Sequence, residues 1–447
     1  MIQKNDELTV SVSDISVDGL GIAKKDGAVL FCQGLLPGET ARIKVIKETK
    51  KFFIARPEEI IQKSPDRVAP PCPVFKRCGG CTIQHLSGEG QLAFKTRRVQ
   101  DALQRIGGLG FTVSDCMASP KPYDYRNKAV FPVSEKDGQI QIGFFAKGSH
   151  DVVDIESCAI QHPAINRAMG IIRAWLTDNQ ISVYDEATHR GLIRQIFARV
   201  TTDDALMVGL VSTSKNIAHT EKLIKALKEI ETLKSVMINV NTVRGNTLLG
   251  AENFPLFGED ALTYTIGGLS FRVGLTAFLQ VNTEQTENMY RAAIDLADIG
   301  ENDVVCDLFC GIGTLSLLAA KKAKKVYGIE YVKAATDNAE ENARANGLAN
   351  AEFVCGDCTE KFADTAKKAG GFDVLIADPP RKGLDEALIN QILKAAPKRL
   401  VYVSCDPGTL ARDLKLLSEK YTVEKAVPFD MFPQTTHVET VVLLRGV

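Results

Sequence analysis

The stretch DVVCDLFCGIGT, residues 303–314, decides the fold of this chain. Its first six residues are mostly apolar and predict a buried strand, and Gly311 and Gly313 predict a tight turn into a helix. From about residue 271 onward, predicted strands alternate with helical patterns. Such alternation is typical of a parallel sheet with crossover helices. We therefore predict a Rossmann-like α/β domain over residues 271–447.

The strands after this turn each end in a polar residue. The strand at residues 325–329 ends at Glu330, and the next two predicted strands end at Asp357 and Asp378. Open α/β sheets bind their ligands at the carboxyl ends of the strands. A glycine turn followed by an acid on the next strand is a nucleoside-binding arrangement, because glycine lets the backbone approach and a carboxylate accepts ribose hydroxyls. A single acid of this kind could cap a helix, but the whole set predicts a binding edge.

The spacing of the glycines separates two classes of nucleoside cofactor. A dinucleotide fingerprint needs a third glycine three residues after Gly313, where this chain has Ser316. S-adenosylmethionine carries no phosphate to cradle and calls for a further polar residue after the third strand, which Asp357 supplies. We therefore predict S-adenosylmethionine as the cofactor.

Cys405 lies in the stretch LVYVSCDP, residues 400–407, where an apolar strand ends in a polar turn. Free cysteine is often buried and inert, but the neighbours Ser404 and Asp406 fit poorly with burial. The carboxyl end of a strand in such a sheet faces the reactive crevice. We therefore predict that Cys405 is a reactive thiol.

The composition indicates a globular chain of two or three domains, with 447 residues, 45% hydrophobic and 24% charged. Residues 1–130 hold 20 Lys and Arg against 14 Asp and Glu, while the formal net charge of the whole chain is only -1. This asymmetry is compatible with an N-terminal portion that contacts a polyanion. No stretch approaches a membrane span or a signal sequence, so we expect a cytoplasmic protein with no membrane partner. The 11 cysteines are then expected in metal ligation, catalysis or packing rather than in disulfides.

Residues 7–60 alternate apolar and polar side chains between turn signals and predict a small antiparallel barrel. A basic run with two interleaved phenylalanines, typical of a surface for phosphates and stacked bases, lies at residues 42–56. The alternative is an ordinary solvated strand face. The cations of this run are Arg42, Lys44, Lys47, Lys50, Lys51 and Arg56.

Cys72, Cys78 and Cys81 form a Cys-x5-Cys-x2-Cys cluster in a glycine-rich loop, which favours a metal site. A fourth ligand could be His85, which would give a Cys3His zinc site. It could instead be Cys158, which would give an all-thiolate site suited to iron and sulfide. The spacing alone leaves both possibilities open.

The middle of the chain mixes strands and helices. A helical pattern at residues 91–106 is followed by predicted strands at 129–133, 193–200, 206–211 and 235–241, with helices near 163–178 and 219–230. This mixture is typical of an α+β domain. We expect three domains, at residues 1–60, 61–270 and 271–447.

Taken together, these motifs resemble the bacterial RNA (uracil-5-)-methyltransferases over nearly the whole chain. The resemblance is closest to the branch that acts on 23S ribosomal RNA, whose members carry an N-terminal TRAM barrel, an RNA-binding module, and a 4Fe-4S cluster. The transfer RNA branch looks different in lacking both. The motifs are Gln280, Asp307-Leu308-Phe309-Cys310-Gly311, Glu330, Asp378-Pro379-Pro380-Arg381, Ser404-Cys405-Asp406-Pro407 and His437-Val438-Glu439.

The resemblance implies ligands for two cofactors. The 4Fe-4S cluster would be held by Cys72, Cys78, Cys81 and Cys158. Members of the family often have Asn where this chain has Thr314 and Asp357. S-adenosylmethionine would be bound by Gln280, Phe309, Gly311, Thr314, Glu330, Asp357 and Asp378.

The resemblance also implies a covalent mechanism that agrees with the residues. Uracil C5 is a poor nucleophile until a thiolate adds at C6, and Cys405 is the predicted nucleophile. The C5 proton must then leave, and Glu439 is the predicted base. The expected function is methylation of a uridine in 23S ribosomal RNA by a monomeric enzyme. The alternatives are a transfer RNA (uracil-5-)-methyltransferase and a non-catalytic RNA-binding iron-sulfur protein.

Overall fold

The computed structural model describes residues 2–245 and 247–447. Its N-terminal part is a closed barrel with the strand order β1-β2-β3-β5-β4. Strands β3 and β5 run parallel, so the prediction of a fully antiparallel barrel is wrong. Directions cannot alternate all the way around a closed ring of five strands, so one pair must be parallel. The strands are β1 Glu7–Ile15, β2 Gly21–Lys25, β3 Ala28–Cys32, β4 Thr40–Glu48 and β5 Phe53–Gln62.

The middle of the chain forms a seven-stranded sheet with the order β12-β11-β10-β9-β6-β7-β8. Helices α2 and α3 pack on this sheet, and the only tryptophan of the chain, Trp175, lies between them and the strands with 4% of its surface exposed. The elements are α1 Gly88–Arg105, β6 Lys128–Lys136, β7 Gln139–Phe145, β8 Val152–Asp154, α2 Pro163–Asp178, β9 Ile193–Val200, β10 Leu206–Ser212, α3 Thr220–Leu227, β11 Leu233–Val240 and β12 Glu252–Gly258.

The C-terminal part consists of a two-stranded hairpin, β13-β14, and a second seven-stranded sheet with the order β17-β16-β15-β18-β19-β21-β20. The elements are β13 Ala261–Ile266, β14 Leu269–Gly274, α4 Thr283–Ala297, β15 Val304–Leu308, α5 Thr314–Ala320, β16 Lys325–Glu330, α6 Lys333–Ala345, β17 Ala351–Cys355, α7 Cys358–Ala369, β18 Val374–Ala377, α8 Glu386–Ala395, β19 Arg399–Ser404, α9 Pro407–Leu417, β20 Tyr421–Phe429 and β21 Glu439–Gly446.

The order of this last sheet places the binding edge. The five strands β15 to β19 are parallel, and the chain reverses its direction of winding between β15 and β18. Ligands bind at the carboxyl ends of the strands beside such a reversal. The last strand, β21, is antiparallel and inserts between β19 and β20. It therefore brings residues from the end of the chain to the same edge.

Two elements cross the expected domain boundaries. Helix α1, which the sequence places in the central domain, packs against α9, and its residues Val99 and Leu103 lie in the core of the C-terminal sheet. The hairpin β13-β14 shares the other core of that sheet. The division at residues 60 and 270 stays a proposal, and the hairpin favours a second boundary ahead of Ala261.

The predicted fold class is confirmed by these sheets: a small N-terminal barrel, an α+β middle and a Rossmann-like C-terminal part. Most predicted helices and strands agree with the observed ones to within a few residues. No helix in the described part of the chain is long and apolar enough to span a membrane.

Candidate active site

The turn after β15 is shaped by three residues with positive φ. Phe309 has φ 61°, Gly311 has φ 54° and Gly313 has φ 84°. A Cβ atom on Gly313 would come within 3.0 Å of the ring of Phe353, so glycine is needed there for space as well as for φ. Phe309 is a bulky residue in a conformation that costs free energy, and such residues gather at binding sites.

Glu330 at the end of β16 ties this turn to the next strand. One carboxylate oxygen accepts the N–H of Gly311 at 3.1 Å, and the other accepts the N–H of Val332 at 2.8 Å. The side chain is partly exposed, so its remaining lone pairs are open to a ligand. This is the geometry expected of an acid that accepts ribose hydroxyls.

A cleft at this edge brings together most of the predicted cofactor residues. Asp307 is one of the lining residues: one carboxylate oxygen accepts the Ser316 hydroxyl at 2.5 Å, and the other is buried with no hydrogen-bond partner in the described part of the chain. Burial raises the pKa of Asp307 to about 7 and that of Asp378 also to about 7. The lining includes Gln280, Tyr290, Asp307, Phe309, Gly311, Thr314 and Asp378.

Asp307 and Tyr290 were missed as site residues by the sequence analysis. Asp307 comes just before the glycine turn in the sequence, and this position was a usable signal of a binding residue. Tyr290 lies in the middle of α4, and nothing in the local pattern separates it from the buried residues around it. Only the packing of α4 beside the cleft reveals it.

Asp357 does not line this cleft. Its carboxylate accepts the N–H of Thr359 at 2.8 Å and caps the N-terminus of α7. Helix capping was the alternative to a binding role for these acids, and among the predicted acids it describes Asp357 alone. A role for Asp357 in cofactor binding stays a prediction.

Cys405 lies between the end of β19 and the N-terminus of α9. Asp406 caps that helix by accepting the N–H groups of Gly408 at 2.9 Å and Thr409 at 3.0 Å. The thiol is partly exposed. Burial and the carboxylates of Glu439 and Asp378 together raise the pKa of Cys405 to about 11, against a lowering effect of Arg381.

Glu439 is the first residue of β21 and stands across from Cys405. Ser404 pairs with Thr440 in the antiparallel register, so the next position on each strand brings Cys405 beside Glu439. Glu439 is only 3% exposed. Burial and the neighbouring Asp378 raise the pKa of Glu439 to about 8, against a lowering effect of Arg381. The predicted nucleophile and base therefore share one electrostatic environment.

The four predicted cluster cysteines line a single cavity beside the central sheet: Cys72, Cys78, Cys81 and Cys158. Burial, with a smaller effect of neighbouring thiols, raises the pKa of Cys81 to about 12 and that of Cys158 to about 11. His85 is not in this lining, and both of its ring nitrogens are buried with no hydrogen-bond partner among the residues that the structure describes. Across residues 2–245 and 247–447, no group of three or more His, Cys, Asp or Glu is placed to hold a metal ion.

The basic run of the barrel divides into paired and unpaired cations. Arg42 pairs with Glu59 at 3.1 Å, and Arg56 pairs with Glu58 at 3.0 Å. Among the described residues, Lys44, Lys47, Lys50 and Lys51 make no ion pair, and the last three are exposed. The lysines at the β4-β5 hairpin therefore stay the predicted phosphate contacts.

A family profile matches the part of the chain that builds this site. The profile described as tRNA (Uracil-5-)-methyltransferase covers residues 88–447, including the cleft, Cys405 and Glu439. The chain belongs to the tRNA (uracil-5-)-methyltransferase family. The TRAM domain profile matches residues 3–57, which form the barrel. The predicted RNA (uracil-5-)-methyltransferase family, enzyme class and TRAM barrel are thereby confirmed.

Curated relatives and a solved structure resemble the chain over nearly its full length. An uncharacterized RNA methyltransferase of Listeria monocytogenes is 42% identical, covering 100% of this chain and 99% of the relative. One from Halalkalibacterium halodurans is 41% identical, covering 99% and 98%. The solved tRNA (uracil-54, C5)-methyltransferase of Pyrococcus abyssi, in complex with S-adenosyl-L-homocysteine, has a TM-score of 0.79 and 26% identity, covering 98% of this chain and 100% of that one.

The Pyrococcus abyssi enzyme corrects one expectation. It is named for transfer RNA, yet its alignment covers 98% of this chain and so extends over the barrel and the cysteine loop. The expectation that the transfer RNA branch lacks the barrel is wrong for this neighbour, whereas the expectation that it lacks the cluster stays a prediction. The barrel therefore does not separate the two RNA targets, and the cysteine motif is the feature left to separate them.

Proposed function

We propose that the chain transfers a methyl group from S-adenosylmethionine to C5 of a uridine in RNA, with Cys405 as nucleophile and Glu439 as base. The observation that carries this proposal is the placement of the two side chains. The register of β19 and β21 sets them opposite each other, next to Asp378 of the cleft. A thiol and a buried carboxylate in this arrangement match the two protein groups that the chemistry needs.

The cleft suits S-adenosylmethionine on chemical grounds. When bound, this cofactor supplies an electrophilic methyl group on a sulfonium. It carries two cationic groups, and the cleft offers the carboxylates of Asp307 and Asp378, one with an unpartnered buried oxygen. Glu330, fixed by two backbone N–H groups, would accept the ribose hydroxyls. Gln280, Phe309, Gly311 and Thr314 would complete the contact surface.

The chain's own residues open and close the reaction. The Cys405 thiolate forms a bond to uracil C6, and the electron pair of the C5–C6 double bond makes C5 nucleophilic. C5 uses that pair to bond to the methyl group, and the bond between the methyl carbon and the sulfonium breaks with its electron pair left on sulfur. Glu439 then removes the C5 proton, the C–H pair re-forms the C5–C6 double bond, the C6–S bond breaks, and the thiolate leaves.

The described residues hold no preformed metal site, but the donor set of the cysteine cavity is the one that a 4Fe-4S cluster needs. Four thiols and no carboxylate line it, and thiolates are the ligands of iron-sulfur clusters. Cys72, Cys78, Cys81 and Cys158 would hold the cluster as a structural element. None of these residues lines the cleft of the reaction, so no chemical step is assigned to it.

For the target we propose 23S ribosomal RNA, supported by the resemblance of the cysteine motif to the ribosomal branch. Transfer RNA is the second candidate, because the Pyrococcus abyssi neighbour is named for it and aligns over 98% of this chain. Mass-spectrometric mapping of 5-methyluridine in both RNAs from cells lacking the protein decides between them.

The mechanism is tested by two substitutions with different outcomes. Cys405→Ala should abolish both turnover and covalent adduct, since no other group can add to C6. Glu439→Gln should still form the adduct and methylate C5, yet retain the C5 proton, so a methylated, denaturant-resistant protein–RNA complex should accumulate. Turnover of Glu439→Gln should fall about 10²- to 10⁴-fold.

The matched control is Cys355→Ala, which removes a partly exposed thiol at the end of β17, another strand of the same sheet. Its turnover should stay close to that of the parent protein. Normal turnover by Glu439→Gln would place the base elsewhere, and an adduct formed by Cys405→Ala would overturn the nucleophile. Denaturing gel electrophoresis with labelled RNA reads both outcomes.

A further inference from the structure

Residues 430–438 connect β20 to β21 and lead directly into Glu439. We call this segment the approach turn. Its central residue, Gln434, has φ 70°, a left-handed conformation that non-glycine residues rarely adopt. Such a conformation persists only where the surrounding contacts determine it fully. Gln434 is buried, with only 5% of its surface exposed.

Four hydrogen bonds fix Gln434 to two distant segments. Its carbonyl oxygen accepts the N–H groups of Thr82 at 3.0 Å and Ile83 at 3.1 Å. Its own N–H donates to the side-chain oxygen of Gln91 at 2.9 Å, and the Gln91 amide donates back to the Gln434 side chain at 3.0 Å. Gln91, on helix α1, is itself only 3% exposed.

The rest of the approach turn is anchored in the same way. The Thr436 N–H donates to the Thr82 hydroxyl at 3.1 Å, and the Thr436 hydroxyl donates to the carbonyl of Val17 in the barrel at 2.6 Å. Lys95 of α1 donates to the Phe432 carbonyl at 3.1 Å. The barrel, the cysteine loop and α1 thus all hold the segment that precedes the base.

Cys405 is positioned by different contacts. Its turn is set by the Asp406 cap of α9 and the Ser404 hydroxyl, which receives the Asp406 N–H at 3.2 Å. The pairing of β19 with β21 joins the nucleophile to the base, but the turns beside them have separate supports. A shift of the approach turn would act on Glu439, which directly follows it, more than on Cys405.

We infer that Gln91 and Gln434 are positioning residues for Glu439, acting on the second half of the reaction only. This inference rests on the proposed function. Thr82 and Ile83 directly follow Cys81, so the same bonds give the cysteine loop a part in placing the base although its thiols lie outside the cleft. Misplacement of a reacting group by about 1 Å can cost about 10²-fold in rate.

The test compares two glutamines of the same helix. Gln91→Ala removes the bonds to the approach turn. Gln100→Ala, the matched control, removes side-chain bonds to the Phe111 carbonyl at 2.7 Å and the Val113 N–H at 2.8 Å, on a different segment. Gln91→Ala should slow adduct resolution about 10- to 100-fold and accumulate the methylated adduct, with the rate of adduct formation changed less than about 2-fold. Gln100→Ala should accumulate none.

Glu439→Gln, measured in parallel, tests the assignment of the base separately from the positioning role of Gln91. If Glu439→Gln traps the adduct and Gln91→Ala does not, the positioning role is overturned and the base assignment stands. If neither traps it, the proposed base and the positioning role both fall. Should Gln91→Ala fail to fold, Thr82→Val replaces it, because this nearly isosteric change removes only the hydroxyl that receives the Thr436 N–H. Adduct accumulation in Thr82→Val supports the inference, and parent-like resolution overturns it.

Discussion

At the scale of single residues, Glu439 is a carboxylate in a place where ionisation is unfavourable. It is buried, and the neighbouring Asp378 adds negative charge. The raised pKa means that the folded chain binds a proton which the unfolded chain releases. The protonated carboxyl stabilises the fold below pH 4.5, the ordinary pKa of a glutamate, and this contribution to the free energy of unfolding is lost as the pH rises through about 8. A residue suited to proton transfer therefore destabilises the fold at alkaline pH.

Glu439→Gln should therefore stabilise the fold at high pH. The amide imitates the protonated acid, so the variant should gain on the order of 1 to 3 kcal/mol over the parent protein at pH 9 and much less at pH 5. Chemical denaturation at both pH values measures the free energy of unfolding. The exposed Glu419→Gln should change little at either pH. Equal effects of Glu439→Gln at pH 5 and pH 9 would contradict the raised pKa.

Much of the site was predictable because strand ends meet at one edge of a parallel sheet. Glu330 and Asp378 could be predicted from the strand pattern alone: Asp378 lines the cleft, and Glu330, at the end of β16, accepts the N–H of Gly311 in the glycine turn. Asp357 obeys the same pattern, yet its side chain turns to its own helix. The choice between capping and facing a cleft depends on one side-chain rotamer, which the sequence pattern does not encode.

At the scale of elements, the β4-β5 hairpin presents unpaired lysines as a group. The triple variant Lys47→Ser, Lys50→Ser, Lys51→Ser should weaken RNA binding and lower the slope of log K against log salt by about 2 to 3, since each phosphate contact contributes about 0.7 to 0.9. Filter binding over a range of salt concentrations measures this slope. The control is Lys4→Ser, Lys24→Ser, Lys25→Ser, three exposed lysines elsewhere on the barrel with the same charge change. Equal slopes for the two triple variants would mean that the hairpin is an ordinary solvated face.

The alternation of helices and strands was readable, whereas the pairing of the last two strands was not. The insertion of β21 between β19 and β20 depends on contacts along the whole strand and not on local periodicity. The bond between Gln91 and Gln434 joins residues 343 positions apart. Local propensity carries no information at that separation, so the support of the approach turn emerges only from the folded chain.

At the scale of the whole molecule, the cysteine loop links the barrel to the site. The purified protein should contain iron and acid-labile sulfide, measured anaerobically, because four thiols line one cavity. Stoichiometric zinc without sulfide would reject the cluster. Cys158→Ser should lower RNA affinity more than S-adenosylmethionine affinity, since the cavity lies outside the cleft. Cys355→Ser should affect neither metal content nor RNA affinity.

Because the chain has a single tryptophan, and it is buried, its fluorescence reports on one region of the structure. Trp175 lies in the core of the central sheet, and its indole N–H donates to the carbonyl of His219 at 2.8 Å. Intrinsic tryptophan emission therefore monitors solvent entry into that core alone, while circular dichroism averages over barrel, central sheet and C-terminal sheet. Coincident melting curves from the two optical signals would mean that the three parts unfold cooperatively. Separated curves would assign the emission change to the central sheet without any added fluorophore.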